Sequence, residues 1–206
     1  MFVAVEGPEG AGKTTLVAGL AARLRAAGIA VVAVREPGGT PLAEAARQVV
    51  LSPELEMTAG AELFLFLAAR ADLVERVIRP ALAAGRTVLA DRYSLSTVAY
   101  QVHGRGLPRD AVHAAIRLAT GGLEPDLTLV LDVPPELSRR RQGTRSRGPD
   151  RMEGEEAGFH ERVAAGFRTA AGPSVVHLDG TLPAERVEEA AWQAVSGARR
   201  EGAAIS

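Results

Sequence analysis

The segment "VEGPEGAGKTTL" (residues 5–16) decides the fold of this chain. It follows a short apolar run, "FVAVE" (2–6), and leads into an alanine- and leucine-rich stretch of helical character. Its spacing matches the Walker A pattern at Gly7, Gly12, Lys13 and Thr14. Such glycines let backbone N–H groups converge on phosphate oxygens at the start of a helix, where the helix dipole favours anions. The strand-then-helix context therefore predicts a phosphate-binding loop rather than a glycine-rich turn without a ligand.

The loop predicts a nucleoside triphosphate, ATP, together with Mg²⁺. Lys13 is expected to reach the β- and γ-phosphates, and Thr14 to offer its hydroxyl to the metal. Glu9 is unexpected in this position, because its carboxylate is ionised at pH 7 and would repel a polyphosphate. Either Glu9 points elsewhere or the loop does not bind phosphates. The nucleotide contacts we expect are Gly7, Pro8, Glu9, Gly10, Ala11, Gly12, Lys13, Thr14 and Thr15.

Short β-branched runs alternate with longer alanine- and leucine-rich segments along the whole chain. The pattern predicts strands at 2–6, 30–35, 86–91, 127–133 and 174–179. It predicts helices at about 13–27, 41–51, 60–84, 94–120 in two pieces, 134–142, 153–171 and 183–199. Alternation of this kind, with strands apolar on both faces, is typical of an α/β fold with a five-stranded parallel sheet and helices on both faces. We therefore expect the P-loop NTPase fold in a single domain, residues 1–206.

Composition narrows the function class. The chain of 206 residues has 24 Lys plus Arg and 25 Asp plus Glu, so its net charge of −1 argues against a general nucleic-acid binder. It contains no cysteine, which excludes disulfides and thiolate metal sites. No apolar run approaches the roughly 20 residues of a membrane span, and the N-terminus lacks the basic region of a signal peptide. We expect a soluble cytoplasmic protein without nucleic-acid or membrane partners.

A second metal ligand is expected at the end of another strand. "TVLAD" ends in Asp91 and "LTLVLD" ends in Asp132, and either resembles the strand-end acid that holds Mg²⁺. Asp91 is the better candidate, because Arg92 follows it and a guanidinium beside a metal carboxylate suits phosphoryl transfer. A strand-end ion pair is an equal alternative.

The segment "LFLAAR" (65–70) places an arginine on an apolar helix face. Phe66 and Arg70 are one turn apart, so their side chains are neighbours. A buried guanidinium needs a planar or anionic partner. A nucleobase would suit both residues, since Phe66 can stack and Arg70 can donate to a carbonyl. The alternative, which the pattern alone favours, is a core Phe and an Arg paired to an internal carboxylate such as Glu62.

Further arginines lie in segments that read as loops. Arg35 opens "REPGGT" and Arg47 lies on the following helix, while Arg145, Arg147 and Arg151 lie in the glycine- and proline-rich segment at about 141–152. Guanidinium groups match phosphate oxygens bidentately. A solvated charged face is the commoner origin of such runs. Near a P-loop, however, a glycine-spaced arginine arm indicates a lid.

At these residues the sequence resembles the thymidylate kinase family, whose members phosphorylate dTMP to dTDP with ATP. The resemblance runs from residue 2 to about 180. It rests on "EGPEGAGKTT", "REPGGT" with Arg47, "LFLAAR", "DRYSLSTVAYQ", "GRG", "PDLTLVLDV" and "DRME". One P-loop is common to many families, but this ordered set is specific to very few.

The resemblance implies a role for each candidate residue. Glu9 would accept a hydrogen bond from the 3′-hydroxyl of dTMP, which answers why an acid sits in the loop. Phe66 would stack on thymine, Arg70 would donate to a thymine carbonyl, and Tyr100 would crowd out a 2′-hydroxyl. The other expected substrate contacts are Pro37, Arg47, Arg92, Thr97 and Gln101.

The resemblance also implies the catalytic set. Ala11 and Gly10 supply no basic group in the P-loop, so the chain matches the bacterial type that supplies arginines from the lid. The expected catalytic residues are Lys13, Glu9, Asp91, Arg92, Arg145, Arg147 and Arg151. Thr14 and Asp91 would hold Mg²⁺, and Thr181 would lie near adenine. The lid aligns loosely with the family, and Phe159 and Phe167 stand where tyrosine is frequent.

Two other functions remain open. A related P-loop kinase could accept another deoxypyrimidine nucleotide, because one methyl group is worth only about 1–3 kcal/mol in a pocket. A regulator could bind nucleotide without turnover, although it would be expected to have an incomplete arginine set, and the set here is complete. The family is typically homodimeric, so we expect a homodimer formed by the alanine-rich helices near 60–84 and 108–120.

Overall fold

Five parallel strands form the central sheet of the computed structural model, which describes residues 1–142, 148 and 150–205. The strands are β1 (Phe2–Glu6), β2 (Val31–Arg35), β3 (Thr87–Asp91), β4 (Leu127–Asp132) and β5 (Val175–Asp179). Their order across the sheet is β2-β3-β1-β4-β5, and every adjacent pair is parallel. The five predicted strands and their parallel arrangement are confirmed.

Helices cover both faces of the sheet. They are α1 (Lys13–Ala26), α2 (Pro41–Leu51), α3 (Ala59–Leu73), α4 (Arg79–Ala83), α5 (Ser94–Thr97), α6 (Arg109–Thr120), α7 (Pro135–Gln142), α8 (Ala157–Arg168) and α9 (Ala184–Ile205). Thr40 and Thr58 start α2 and α3 by accepting the backbone N–H of the third following residue. The helix predicted at 153–171 is shorter in the structure, where α8 spans Ala157–Arg168. The helix predicted at 183–199 is longer, since α9 continues to Ile205.

Alternating side chains of β1 supply both cores. Val3 and Val5 pack against α1 and α9, whereas Phe2 and Ala4 pack against the opposite layer around Leu73. This follows from the two-residue repeat of a strand, because successive side chains point to opposite faces. β1, β3 and most of β4 are buried on both faces, which explains their nearly continuous apolar sequences.

Two π-helical segments interrupt the helices. Val74–Ile78 joins α3 to α4, just before Pro80, whose ring cannot follow a regular α-helical turn. Val98–Gly104 continues α5 and packs against α8. A Cβ on Gly104 would lie 2.6 Å from Phe159, so glycine permits this close packing. The second segment carries Tyr100 and Gln101, as is common for π-helical turns at functional sites.

None of the helices in the part of the chain that the structure describes is both long and apolar enough to cross a membrane. Within the segment at 141–152, residues 143–147 and 149 lie outside the described residues. The predictions for Arg145 and Arg147 therefore concern residues outside the described part of the chain.

Candidate active site

The loop between β1 and α1 adopts a conformation that its glycines make possible. Gly7 has a φ of 139°, and a Cβ there would lie 2.8 Å from the carbonyl oxygen of Leu131. Gly12, with a φ of 99°, is the N-cap of α1. Larger residues would be strained at both positions. The loop thus brings the N-terminus of α1 against the carboxyl end of β1, where a phosphate gains from the helix dipole.

Lys13 folds back over the loop. Its Nζ donates to the carbonyl oxygens of Gly7 at 3.0 Å and Pro8 at 2.7 Å. Burial and the nearby charge of Arg92 lower the pKa of Lys13 to about 8. A partly desolvated ammonium at this position interacts strongly with an anion, because the surrounding dielectric is low.

Thr14 and Asp91 meet at the end of the sheet. The hydroxyl of Thr14 donates to Oδ2 of Asp91 at 2.6 Å, although the two residues are 77 positions apart. Hydroxyl and carboxylate oxygens are ligands that Mg²⁺ accepts, so this pair fits the metal that the sequence predicts. Asp132, the alternative acid, lies at the end of β4. Its carboxylate is instead bonded to Nδ1 of His177 on the adjacent strand β5, at 2.8 Å.

Glu9 lines the cavity and is paired with an arginine from the end of β3. Its carboxylate bonds to the guanidinium of Arg92, and the hydroxyl of Tyr100 lies 3.5 Å from it. Arg92 also donates to the carbonyl of Gly7 at 3.1 Å and to Ser96 at 3.0 Å. Arg92 is the only non-glycine residue with positive φ, 77°, in the part of the chain that the structure describes. Such backbone strain is frequent at functional sites.

A buried carboxylate beneath Arg92 anchors this region. Glu6, at the end of β1, accepts the backbone N–H groups of Tyr93 at 2.8 Å and Ser96 at 3.1 Å, and the Ser96 hydroxyl at 2.5 Å. Burial raises the pKa of Glu6 above its ordinary value. These bonds fix the first turn of α5, so the residues that follow are held in place relative to the P-loop.

Arg70 is almost fully buried and donates three hydrogen bonds, which leaves two of its five N–H groups for a ligand. Its Nε donates to Glu36 at 2.7 Å, Nη1 to the hydroxyl of Thr97 at 2.8 Å, and Nη2 to the carbonyl of Tyr93 at 3.0 Å. The internal carboxylate suggested by the sequence therefore exists, but it is Glu36 and not Glu62. The suggested pairing with Glu62 is wrong, because Glu62 is occupied by other donors.

Glu62 is the centre of a separate buried cluster. It accepts Nε2 of Gln101 at 2.9 Å, Nη2 of Arg105 at 2.7 Å and Nη2 of Arg151 at 2.8 Å. Arg151 also donates to the carbonyl of Val50 at 2.9 Å. In this conformation the side chain of Arg151 therefore lies in the cluster and not against the P-loop.

A cavity of about 380 Å³ joins these groups. The predicted residues that line it are Glu9, Gly10, Gly12, Lys13, Thr14, Thr15, Pro37, Arg47, Phe66, Arg70, Asp91, Arg92, Thr97, Tyr100 and Gln101. Among the described residues, the predicted ones that do not line it are Gly7, Pro8, Ala11, Arg151 and Thr181. Thr181 donates to Asp179 at the end of β5. The cavity thus runs from the P-loop to Phe66 and Arg70.

Sequence reasoning did not assign two charged residues that line the cavity, Arg141 and Glu36. Arg141, at the end of α7, donates to the carbonyl of Ala11 at 3.4 Å and that of Gly180 at 3.1 Å, and it lines the cavity. The arginine run at 139–141 was the available signal. Glu36 was also missed, and its signal was the buried Arg70 that it neutralises, whereas Glu62 was named but assigned to the wrong arginine.

The fold and the cavity define a P-loop phosphotransferase. A family model described as thymidylate kinase matches residues 5–191. A thymidylate kinase of Deinococcus radiodurans is 48% identical over 199 residues, which cover 95% of this chain and 96% of that protein. One of Thermomicrobium roseum is 47% identical over 204 residues, covering 98% and 97%, and one of Chlorobium chlorochromatii is 44% identical over 202 residues, covering 92% and 91%.

The chain belongs to the thymidylate kinase family, which confirms the resemblance found in the sequence. Membership of the family implies a small-molecule substrate and the use of a nucleotide. The individual roles of the site residues, including the arginines of the segment at 141–152, stay predictions.

Proposed function

We propose that the protein transfers the γ-phosphoryl group of MgATP to the phosphate of dTMP, which yields dTDP and ADP. The observation that carries the proposal is one cavity with a P-loop at one end and Phe66 with Arg70 at the other. A phosphate-binding loop alone would leave the acceptor undefined. An aromatic ring beside a buried guanidinium supplies a site for a flat base with a carbonyl oxygen.

The acceptor is positioned by groups that line one cavity. Phe66 stacks on thymine, while Arg70 and Gln101 address its edge. Glu9 accepts the 3′-hydroxyl, a role supported by the contacts of its carboxylate with Arg92 and Tyr100, two other residues that we assign to the acceptor. Tyr100 excludes a 2′-hydroxyl, and its packing against Phe159 and Phe167 supports this role because it restricts the position of the ring.

The phosphates meet a second set of groups. Arg47 and Arg92, with the loop at Pro37, bind the dTMP phosphate, and Lys13 binds the β- and γ-phosphates of ATP. Thr14 and Asp91 hold Mg²⁺, which neutralises charge on the same phosphates when it is bound. Arginines of the lid at about 141–152 complete the site, and Arg141 is already against the P-loop.

The transfer needs no covalent enzyme intermediate. A phosphate oxygen of dTMP forms a bond to the γ-phosphorus as the bond from that phosphorus to the β-phosphate oxygen breaks, and ADP leaves with the electron pair. The acceptor is already an anion, so no general base is required. Catalysis then consists of alignment and charge stabilisation, which Lys13 and Arg92 provide.

We also propose one domain, residues 1–206, that assembles as a homodimer through α3 and α6. Phe64 on α3 is 67% exposed and Leu118 on α6 is 87% exposed, and the two helices pack side by side. Exposed large apolar side chains on two neighbouring helices support an interface there. Sedimentation of Leu118→Glu should give a monomer if this face is the contact, and an unchanged dimer would exclude it.

The test of the function is ADP release with MgATP and a panel of acceptors: dTMP, dUMP, UMP, dCMP, AMP, GMP, thymidine and none. We expect strong turnover with dTMP, weaker turnover with dUMP, and little with the rest. A preference for another acceptor would keep the kinase and discard the base contacts. Tight ATP binding without turnover on any acceptor would favour the regulator.

A further inference from the structure

The buried carboxylate of Glu62 lies next to the base end of the cavity without being one of its lining residues. Glu62, Phe66 and Arg70 are four residues apart on α3, so they share one face of that helix. Glu62 is therefore one turn behind the residues that we assign to the base. Only 1% of its side chain is exposed.

Glu62 carries a negative charge in the folded protein. Burial alone would raise its pKa, but hydrogen bonds from Arg105, Gln101 and Arg151 outweigh burial and hold the pKa below its ordinary value. Arg105 approaches with Nη2 at 2.7 Å and Nε at 3.0 Å, and Arg151 with Nη2 at 2.8 Å. An ionised carboxylate accepts hydrogen bonds and cannot donate them.

This charge fixes the amide of Gln101. The two ends of a glutamine amide have nearly the same shape, so neighbouring groups decide which end faces where. Here Oε1 of Glu62 lies 2.9 Å from Nε2 of Gln101, and only the NH₂ end can satisfy an acceptor. The carbonyl end of Gln101 is then the end available to a base in the cavity, which Gln101 lines.

The base end of the cavity therefore presents a donor and an acceptor. Arg70 supplies the N–H groups and Gln101 supplies the carbonyl oxygen. The edge of thymine or uracil offers the complement, a carbonyl oxygen at position 4 and an N–H at position 3. Cytosine reverses both, with an amino group at position 4 and a bare nitrogen at position 3.

We infer that Glu62 is a specificity-determining positioning residue that excludes cytosine by holding the Gln101 amide with its carbonyl toward the base. The inference deepens the proposed function and rests on its assignment of the base end of the cavity. Buried polar groups that face the wrong partner give strong discrimination, because neither can be satisfied by water.

The experiment compares Glu62→Gln with Glu155→Gln as a matched control. Glu155 accepts Nη2 of the same Arg105, at 2.5 Å, and lies outside the cavity lining. The measurements are kcat/KM and, by titration calorimetry, the Kd for dTMP, dUMP and dCMP. In Glu62→Gln the neighbouring amide can accept or donate, so the Gln101 amide is no longer forced into one orientation.

We expect Glu62→Gln to lower the preference for dTMP over dCMP by about 10–100-fold, the loss typical of one mispaired buried hydrogen bond. The ratio of kcat/KM for dTMP to kcat/KM for dUMP should stay within about twofold of the wild-type ratio. Both bases have the same hydrogen-bonding edge, and Glu62 does not act on the methyl group. Glu155→Gln should leave both ratios as in the wild type. An unchanged dTMP-to-dCMP ratio in folded Glu62→Gln, or an equal loss in Glu155→Gln, overturns the inference.

Folding is controlled by a second variant. If Glu62→Gln does not fold, Glu62→Gln with Arg105→Gln keeps the charge of the buried cluster balanced and carries the same expectation. The Kd measurements test this inference independently of the proposed kinase activity. Selective dTMP binding by the wild type without turnover would reject the kinase while the inference stands. Equal wild-type affinities for dTMP and dCMP would reject the inference.

Discussion

The ion pair of Arg70 and Glu36 predicts separable effects on stability and on binding. Only 3% of the Arg70 side chain and 4% of the Glu36 side chain are exposed, and their atoms are 2.7 Å apart. Oε1 of Glu36 has no hydrogen-bond partner within the described residues, so this carboxylate depends on Arg70. The substitution Arg70→Met keeps most of the apolar stem and removes the charge.

Removing one partner of a buried pair typically costs about 3–5 kcal/mol. We expect about 3 kcal/mol for Arg70→Met, because burial already raises the pKa of Glu36 to about 7 with Arg70 beside it. Without the guanidinium, Glu36 will be protonated at neutral pH, which limits the loss. At an m-value of about 2–3 kcal/mol per M urea, the unfolding midpoint should fall by about 1 M.

Urea unfolding followed by circular dichroism measures the shift, with a coupled assay for dTMP kinetics. Adding Glu36→Gln should recover at least half of the lost stability, because no ionisable carboxylate then remains unpaired in the core. The KM for dTMP should stay raised in the double variant, since Arg70, the donor that we propose for thymine, is still missing. A midpoint shift below about 0.3 M in Arg70→Met, or no recovery in the double variant, would refute the reasoning.

Three further predictions concern the loop and the sheet edge. Lys13→Ala should lower kcat by at least about 100-fold while the melting temperature stays nearly unchanged, and wild-type turnover would exclude the phosphate role. Glu9→Gln should slow dTMP phosphorylation and leave the Kd for ATP unchanged. Loss of ATP binding would show that Glu9 contacts ATP and not dTMP. Burial lowers the pKa of His177, but hydrogen bonds to Ala170 and Asp132 outweigh it, so its pKa is raised. The stability it contributes is complete below about pH 6.5 and is lost as pH rises through the higher folded pKa, so His177→Gln should cost more at pH 6 than at pH 8.5 in thermal unfolding.

The fold was predictable because its determinants are local. Strands buried on both faces need nearly continuous apolar residues, and "FVAVE" and "TVLAD" show that pattern directly. The order of the strands was not predictable, because it depends on which side of the sheet each crossover takes. The π-helical turn before Pro80 was also missed, since a helical repeat continues through it with only a small change of phase.

In the candidate site, too, residues close in sequence could be predicted, whereas contacts between distant residues could not. Gly7, Gly12 and Lys13 are close in sequence, so one motif located them. The partners of Arg70 and Gln101 are 34 and 39 residues away in the chain, and only the fold decides which carboxylate each one meets. Chemistry indicated that a buried arginine needs an anion, but several carboxylates could satisfy it.

The geometry also explains how an acidic residue is compatible with a loop that binds polyphosphate. Glu9 is neutralised by Arg92, which reaches it from the end of β3, so the pair adds little net charge near the loop. The potential at the loop is then set by Lys13 and by the N-terminus of α1. Because Arg92 also bonds to the carbonyl of Gly7, the acid and the loop are held as one rigid unit. A carboxylate neutralised in this way is compatible with both of our proposals, a sugar hydroxyl bound to Glu9 and a polyphosphate bound to the loop.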